Sequence, residues 1–370
     1  MTHLPSKIFN TEKTDYERPE IILGSDPGLF DTINKHFPAL WKLYKTLKSQ
    51  DWDENEFDYA PCNVQFKTCD KATYDMMVKT LAWQWEADSV AARSIAGVLA
   101  PVCTSSEAWA GWLEISRNEV VHAATYSEIV RNSFDDPDDI LAEILAVKEA
   151  MARLKTVGEA FDDALAVSLD YARGARPNDQ QTYDSIYLFI VTLLCMERIQ
   201  FMASFAVTFG VCESTGLFQP IGKAIQKIAQ DEFEVHVQYG KEALKALYKT
   251  ERGRRAFGDC REKILAIVHE VVDSEIAWTD YAFCEGRELT GVTCQMMKDW
   301  VYFSASDVIR FFGLEEEARF PILTANPLAY MENWLDMSKI QASNQEEDTA
   351  QYKVGVMKRD DEDEVFAVDF

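Results

Sequence analysis

The sequence predicts an all-α protein, built as a bundle of long helices and followed by a disordered acidic tail. Helical periodicity with stop signals recurs about every thirty residues, whereas strand signals are few. The 370 residues would suggest two domains by length alone, but one bundle of long helices can take up a chain of this size. Hydrophobic residues make up 47% of the chain and charged residues 27%, a composition that excludes wholesale disorder. We therefore expect one large hydrophobic core.

Capping residues place the first two long helices. Asp70 stands where it would cap a helix over 71–100. Thr104 and Glu107 have the spacing of a capping box, which predicts the start of a second helix that reaches about residue 133. Both helices are longer than the usual globular helix of about 11–12 residues, as expected for a bundle.

Further helices complete the bundle. Asp136, followed by Pro137 at the first helical position, opens a third helix that frays near 174–177. Beyond this point the periodicity predicts helices over 180–212, 217–248 and about 252–284, and then shorter pieces up to Trp334.

The chain divides into three regions. Residues 1–30 contain scattered proline and glycine and are expected to form an extended arm over the core, while 31–337 form the helical domain. From about Ser338 the periodicity is lost, and from Glu346 onward nine acids face three bases. We expect 338–370 to be a flexible, disordered tail.

Charge and cysteine content exclude several classes of function. Acids outnumber bases 62 to 37, and a formal net charge of −25 would repel nucleic acids and anionic membranes. The eight cysteines form no Cys-x-x-Cys pair and are expected to be reduced, and the amino terminus has no apolar stretch typical of a secretory signal. The apolar run Tyr187–Cys212 has Glu197 and Arg198 at its middle, which favours a buried helix over a membrane span. We expect a cytoplasmic protein.

Acidic residues inside apolar helices are the informative feature of the sequence. Asp88 and Glu197 each lie in a segment that otherwise has the composition of a core helix. A buried, unpaired carboxylate would lose several kcal/mol of solvation, so each acid must have a compensating partner. For either acid taken alone, a buried ion pair with Arg93 or Arg198 is the simpler interpretation.

Two further helices carry acids together with histidines. Glu119 and His122 are three residues apart, and Tyr126 follows four residues later, so at about 100° per residue all three share one helical face. Glu232 and His236 are four apart and also share a face. Carboxylates from four helices, two of which also carry a histidine, form the ligand pattern of di-iron and di-manganese helical bundles. Mixed nitrogen and oxygen ligands suit iron or manganese and leave positions for O₂, and Tyr126 is then the nearest phenol in sequence that could be oxidised.

At these residues the sequence resembles the radical-bearing small (beta) subunit of class I ribonucleotide reductase, over nearly the whole chain. The resemblance is carried by the segments WQWEADSVAARS, EVVHAATY, MERIQFMASF, QDEFEVH and NPLAYMENWLD. It implies a ferritin-like fold with two iron ions, or manganese or mixed ions, activated by O₂. The metal ligands it implies are Asp88, Glu119, His122, Glu197, Glu232 and His236. It also implies a radical on Tyr126, shielded by Phe201 and Phe205.

One segment departs from the family pattern. The family has glutamate and histidine three residues apart, whereas Glu232 and His236 are four apart with Glu234 between them. A π-bulge can absorb one inserted residue and keep both side chains on one face. We prefer Glu232 as the ligand because Asp231 precedes it, as in the family's Asp-Glu pair; Glu234 remains the alternative.

The resemblance also implies a mechanism and partners. A radical stored in this chain would pass to a cysteine of a separate large (alpha) subunit, which reduces ribonucleotides to deoxyribonucleotides. The family's transfer positions fall on Trp52, Asp231 and His122 in the core, and on Tyr352 with Glu346 in the tail that docks on the large subunit. A homodimer is expected by analogy.

Two other functions and one other role stay open on the sequence. A ferritin-like oxidase or monooxygenase would use the same ligands on a substrate of its own. A metal-free helical interaction protein would need the acids to be ion-paired and the histidine spacing to be coincidental. Trp52 could simply anchor the amino-terminal arm.

Overall fold

The computed structural model describes residues 19–25 and 29–336, and every regular element within these ranges is helical, which confirms the predicted all-α class. The α-helices are α1 (Pro38–Ser49), α2 (Ala60–Thr68), α3 (Lys71–Leu99), α4 (Ser106–Ser133), α5 (Pro137–Leu145), α6 (Lys148–Ala172), α7 (Gln180–Cys195), α8 (Met202–Thr215), α9 (Gln219–Asp231), α10 (Val237–Tyr248), α11 (Glu251–Ala282), α12 (Cys294–Phe312) and α13 (Ala329–Trp334). Two π-helical segments, Met196–Phe201 and Glu232–His236, and one short 3-10 turn, Glu315–Glu317, lie between them.

The predicted start of α3 is confirmed, and that of α4 differs by one residue. The Asp70 side chain accepts a backbone N–H in the first turn of α3. At α4 the cap is Ser105, so the predicted capping box on Thr104 is wrong. The Thr104 hydroxyl instead donates to the backbone carbonyl of Glu20 at 2.8 Å, because the amino-terminal segment runs past this corner.

The third predicted helix is two helices. α5 ends at Leu145, and α6 begins at Lys148. Between them Val147 has an extended backbone and a buried side chain, so the chain turns there. The prediction of one continuous helix is therefore wrong, since a turn of this kind is made by packing and has no proline or glycine to signal it.

Each of the two helices that follow contains a π-helical segment. The residues of α7, Met196–Phe201 and α8 form one helix, Gln180–Thr215. It is long and apolar enough to cross a membrane, but 94% of its most apolar window is buried in the bundle, in agreement with a core helix. The same arrangement joins α9, Glu232–His236 and α10, and it confirms the π-bulge predicted there. The π turn at Met196–Phe201 was not predicted from the sequence.

The long helices pack around a shared centre. α3 lies along α4 and also contacts α6 and α8, while α11 packs against α7 and α12. Residues 21–23 of the predicted arm are buried on this bundle, where the Leu23 N–H donates to the Val102 carbonyl at 2.8 Å. The rest of the arm up to residue 18, residues 26–28 and the predicted tail at 338–370 lie outside the described residues.

Candidate metal centre

Six of the side chains singled out in the sequence meet at the centre of the bundle. Each is at most 3% exposed. Four helical stretches supply them: Asp88 lies on α3, Glu119 and His122 on α4, Glu197 on the π-helical segment Met196–Phe201, and Glu232 and His236 on Glu232–His236. Sequence spacing explains the local part of this arrangement, because residues three or four apart share a helical face.

The six side chains form two overlapping groups. The potential ligand atoms of Asp88, Glu119, His122 and Glu232 lie within 4.8 Å of one another, and so do those of Glu119, Glu197, Glu232 and His236. Glu119 and Glu232 belong to both groups. Two cation positions that share two carboxylates are the geometry expected of a dinuclear centre.

The two shared carboxylates each reach both histidines. Glu119 places Oε2 3.3 Å from His122 Nδ1 and Oε1 3.2 Å from His236 Nδ1. Glu232 places Oε1 3.1 Å from His122 Nδ1 and Oε2 2.7 Å from His236 Nδ1. Each glutamate therefore offers one oxygen to each half of the cluster, as a bridging ligand would.

The donor atoms that face the cluster lack hydrogen-bond partners. Both carboxylate oxygens of Asp88, Glu119, Glu197 and Glu232 are buried without one, and so is Nδ1 of His122 and His236. The nitrogens are close to the oxygens but not aligned with them, so these contacts do not satisfy either group. Leaving many buried polar atoms unpaired is costly, whereas divalent cations would satisfy them together. The donor set fits a pair of metal ions.

The ion pairs considered as the simpler interpretation are absent from the described residues. Arg198 directs its Nε to the Asp307 carboxylate, 2.8 Å away. Arg93 is exposed on the surface of α3. Glu197 and Asp88 thus have no arginine to compensate their charge, which removes the main argument for a metal-free cluster.

A hydrogen-bond network contacts Nε2 of both histidines, the ring nitrogens that face away from the cluster. His122 Nε2 is 3.3 Å from Asp231 Oδ2, which also accepts from Trp52 Nε1 at 2.7 Å. The Trp52 and His122 rings are roughly parallel, with centroids 6.0 Å apart. His236 Nε2 is 2.9 Å from Asn118 Oδ1. Trp52, Asp231 and His122 thus form a continuous chain of contacts that leads away from the cluster.

Electrostatics within the cluster disfavour four ionised acids. Burial raises the pKa of Asp88 and Glu232 well above the ordinary value, and the Glu119 carboxylate raises both further. Burial also raises the pKa of Glu197 to about 7. At Glu119 the effect of burial is outweighed by His122 and His236, which lower its pKa to about 2. Metal cations would reverse the rise by compensating the negative charge.

Tyr126 is enclosed next to this cluster. It is 1% exposed, and its hydroxyl has no hydrogen-bond partner among the described residues. Burial raises the pKa of its phenol well above the ordinary value, and the nearby Asp88 carboxylate raises it further. Phe201 and Phe205 are both fully buried, with stacked rings 5.7 Å apart. The phenol is therefore held neutral and away from water.

The structure also separates the two candidate glutamates and adds residues that sequence reasoning missed. Glu232 lies in the cluster, whereas Glu234 is half-buried and accepts from Gln50 Nε2 at 3.3 Å. Asn118 was overlooked because an asparagine directly before Glu119 has no distinguishing pattern, and Asp307 because its link to Arg198 spans 109 residues. Tyr352 and Glu346 lie outside the described residues.

The bundle and the two overlapping carboxylate and histidine groups define the class of helical proteins that can hold a di-metal centre. Comparison with known proteins identifies the family: residues 30–325 match the model of the ribonucleotide reductase small chain. The chain belongs to this family, and it is an oxidoreductase subunit.

Individual relatives are distant but collinear with the chain. It is 24% identical over 373 residues to the ribonucleoside-diphosphate reductase subunit beta of Buchnera aphidicola subsp. Baizongia pistaciae, with 97% of both chains covered. Identity to the Haemophilus influenzae subunit beta is 23% over 365 residues, covering 94% of both. Among solved structures, the R2 subunit from Clostridium botulinum has a TM-score of 0.77 at 16% identity, covering 91% of this chain and 100% of that one. Streptococcus sanguinis dimanganese(II)-NrdF has a TM-score of 0.63 at 14% identity, covering 83% and 98%. The shared architecture confirms the predicted ferritin-like bundle.

Proposed function

We propose that this chain is the small subunit of a ribonucleoside-diphosphate reductase and that it stores an oxidising equivalent as a radical on Tyr126. The observation that carries the proposal is the convergence of eight carboxylate oxygens and two ring nitrogens, all buried and without hydrogen-bond partners. Within the described residues, no arginine forms an ion pair with these carboxylates. An enclosed phenol lies beside the same cluster.

The six clustered side chains would hold two metal ions. Asp88, Glu119, His122 and Glu232 surround one position, and Glu119, Glu197, Glu232 and His236 surround the other. Carboxylate and imidazole donors suit iron or manganese, and we propose two iron ions, with manganese or a mixed pair as the variants. With O₂ present, such ions would supply the one-electron oxidant for Tyr126.

The residues around Tyr126 would protect the radical. When the phenol loses an electron it also releases its hydroxyl proton, and the adjacent Asp88 carboxylate is the acceptor we propose. Burial of Tyr126 keeps water and reductants from its ring. Asp88 lies close enough to the hydroxyl to raise the pKa of the phenol, and it is therefore placed to take up this proton.

The stored equivalent would leave along the contacts behind His122. Trp52 donates to Asp231, and Asp231 also contacts His122. The three residues therefore connect the cluster with the segment between α1 and α2 that contains Trp52. We propose that Tyr352 and Glu346 continue this route to a large subunit on which residues 338–370 dock. We further propose that the chain acts as a homodimer in the cytoplasm.

An oxidase acting on its own substrate would use the same cluster, but the described grooves do not favour it. One groove of about 720 Å³ is lined by α1, α10 and α12 residues such as Leu40, Tyr248 and Phe311. Another of about 810 Å³ lies between α3 and α6, lined by Val90, Met151 and others. Neither is lined by a cluster residue, so neither forms a substrate chamber at the candidate metal centre.

Metal analysis and EPR spectroscopy test the proposal. We expect about two iron or manganese ions per chain, and a tyrosyl EPR signal after loading with Fe(II) and O₂, or with manganese and a suitable oxidant. The signal should be absent in Tyr126→Phe and present in Tyr187→Phe, which removes another buried phenol on α7. A metal-free protein, or an unchanged radical in Tyr126→Phe, would contradict the proposal.

A further inference from the structure

The outer ring nitrogens of the two histidines are joined through one buried residue, Asn118. It is 2% exposed and lies on α4, directly before Glu119. Its Nδ2 is 3.1 Å from Asp231 Oδ2, and its Oδ1 is 2.9 Å from His236 Nε2. His122 Nε2 contacts the same Asp231 oxygen at 3.3 Å. A second branch of the network therefore runs from Trp52 through Asp231 and Asn118 to His236.

The chemistry of these groups determines which way the amide points. An ionised carboxylate can only accept, so the Asn118 atom that faces Asp231 must be the NH₂ group. The amide oxygen is then the atom that faces His236, and it also can only accept. In the neutral ring that a metal ligand requires, His236 therefore carries its proton on Nε2, and Nδ1 keeps a free lone pair directed at the cluster.

The two histidines differ in the group that holds them. His122 is held by the Asp231 carboxylate, whereas His236 is held by the neutral Asn118 amide. The partner of the outer nitrogen fixes the tautomer and ring orientation of a metal-binding histidine, and its loss typically weakens metal binding by about 10- to 100-fold. The position served by His236 thus depends on Asn118 directly. The position served by His122 depends on Asp231, which keeps Trp52 as a donor when Asn118 is lost.

We propose that Asn118 is a positioning residue that orients His236 as a ligand of the second metal ion and ties it to Asp231. This inference rests on the proposed di-metal centre. It predicts that the loss of Asn118 affects one of the two ions selectively. A purely structural residue would instead affect both ions, or only the stability of the fold.

The test is an anaerobic titration of the full-length chain with Mn(II). The EPR signal of the free aqueous ion measures how much Mn(II) stays unbound at each step. Wild type is expected to bind two ions. Asn118→Leu removes both polar contacts at similar volume, and we expect the first ion to bind as in wild type and the second about 10- to 100-fold more weakly. Gln84→Leu is the control, because it also replaces a buried amide by leucine, at a fully buried α3 position whose amide contacts Thr208. It should bind both ions as wild type does.

A conservative variant separates the hydrogen bond from the volume of the side chain. In Asn118→Asp an oxygen on the His236 side still accepts, and the volume of the side chain is almost unchanged. We expect second-ion binding to be restored to within about threefold of wild type. A crystal structure of Asn118→Leu should also show the His236 ring turned from its wild-type orientation.

The outcomes distinguish this inference from the proposed function. If wild type bound no Mn(II), the di-metal proposal itself would fail. If wild type bound two ions and Asn118→Leu bound both equally well, only the role of Asn118 would be overturned. Equal weakening of both ions, or loss of the second ion in Asn118→Asp as well, would also overturn it.

Discussion

At the scale of single residues, the site is decided by which buried carboxylates have partners and which do not. Asp231 accepts from Trp52 and Asn118 and contacts His122, so its charge is compensated without a metal ion. Glu232, the next residue, has both oxygens unpaired. Two adjacent acids on one helix thus have different roles, because one faces N–H donors and the other faces carboxylates and ring nitrogens.

The same reasoning predicts a contrast between Glu232 and Glu234. Glu232→Gln removes one of the two carboxylates shared by both halves of the cluster, so we expect bound metal to fall from about two ions per chain to about one or fewer. Glu234→Gln changes the same charge at a position that contacts Gln50, and it should leave the metal content unchanged. Elemental analysis after Mn(II) loading measures both. Loss of metal in Glu234→Gln alone would assign the ligand to Glu234.

At the scale of elements, the two π-helical segments carry three of the six cluster side chains and are held by charged groups. Arg198, on Met196–Phe201, contacts Asp307 on α12 through Nε and lies over the Phe233 ring of the other π segment, 5.5 Å from its centroid. On the opposite side, Arg153 of α6 donates to the Gln200 carbonyl at 2.7 Å. π turns are rare within α-helices, and external partners of this kind stabilise these two.

The link to α12 predicts a pH-dependent loss of stability in Asp307→Asn. Burial on its own would raise the pKa of Asp307, but Arg198 and Lys241 outweigh it and lower that pKa below the ordinary 3.8. The ionised side chain therefore stabilises the fold above pH 3.8, and this contribution is lost as the pH falls through the folded-state pKa.

We expect Asp307→Asn to lower the free energy of unfolding by about 2 kcal/mol at pH 7. This figure lies between the values typical of surface ion pairs and of fully buried ones, because the Asp307 side chain is one-third exposed. The difference from wild type should shrink below pH 4. Urea denaturation of metal-free wild type and Asp307→Asn, at pH 7 and at a pH below 4, measures this difference in the free energy of unfolding. Asp299→Asn, a partly exposed position on the same helix, should cost less than about 0.5 kcal/mol. A cost independent of pH would contradict the ion-pair explanation.

At the scale of the whole molecule, the candidate metal centre and the acidic tail are separate parts of the chain. The six cluster side chains lie on helices between residues 71 and 248, whereas the described chain ends at residue 336. The segment 338–370 combines many acids with Tyr352, Val365, Phe366, Val368 and Phe370. Such a segment suits a partner with a basic, apolar groove.

This separation predicts that truncation divides radical formation from turnover. Deleting the residues after 345 should leave the tyrosyl EPR signal unchanged and abolish ribonucleotide reduction with the large subunit. Tyr352→Phe should bind the large subunit as wild type does and still fail in turnover, because docking is kept and the transfer step is lost. Turnover by the truncated chain would show that the tail has neither role.

Much of the fold and of the candidate site follows from the sequence alone. The long helices, the Asp70 cap and the π turn at Glu232–His236 come from local periodicity, capping chemistry and a one-residue insertion. The face shared by Glu119 and His122 comes from helical geometry. These features depend on residues close together in the chain, and their physical causes are local.

Tertiary structure decided the features that depend on distant residues. The break at Val147, the π turn at Met196–Phe201 and the pairing of Arg198 with Asp307 all arise where helices pack against one another. The question of whether arginines compensate the buried acids was of the same kind. The sequence places Arg198 directly after Glu197, but adjacent residues on a helix point in different directions. Only the packed bundle shows that Arg198 turns to Asp307 while the Glu197 carboxylate turns inward.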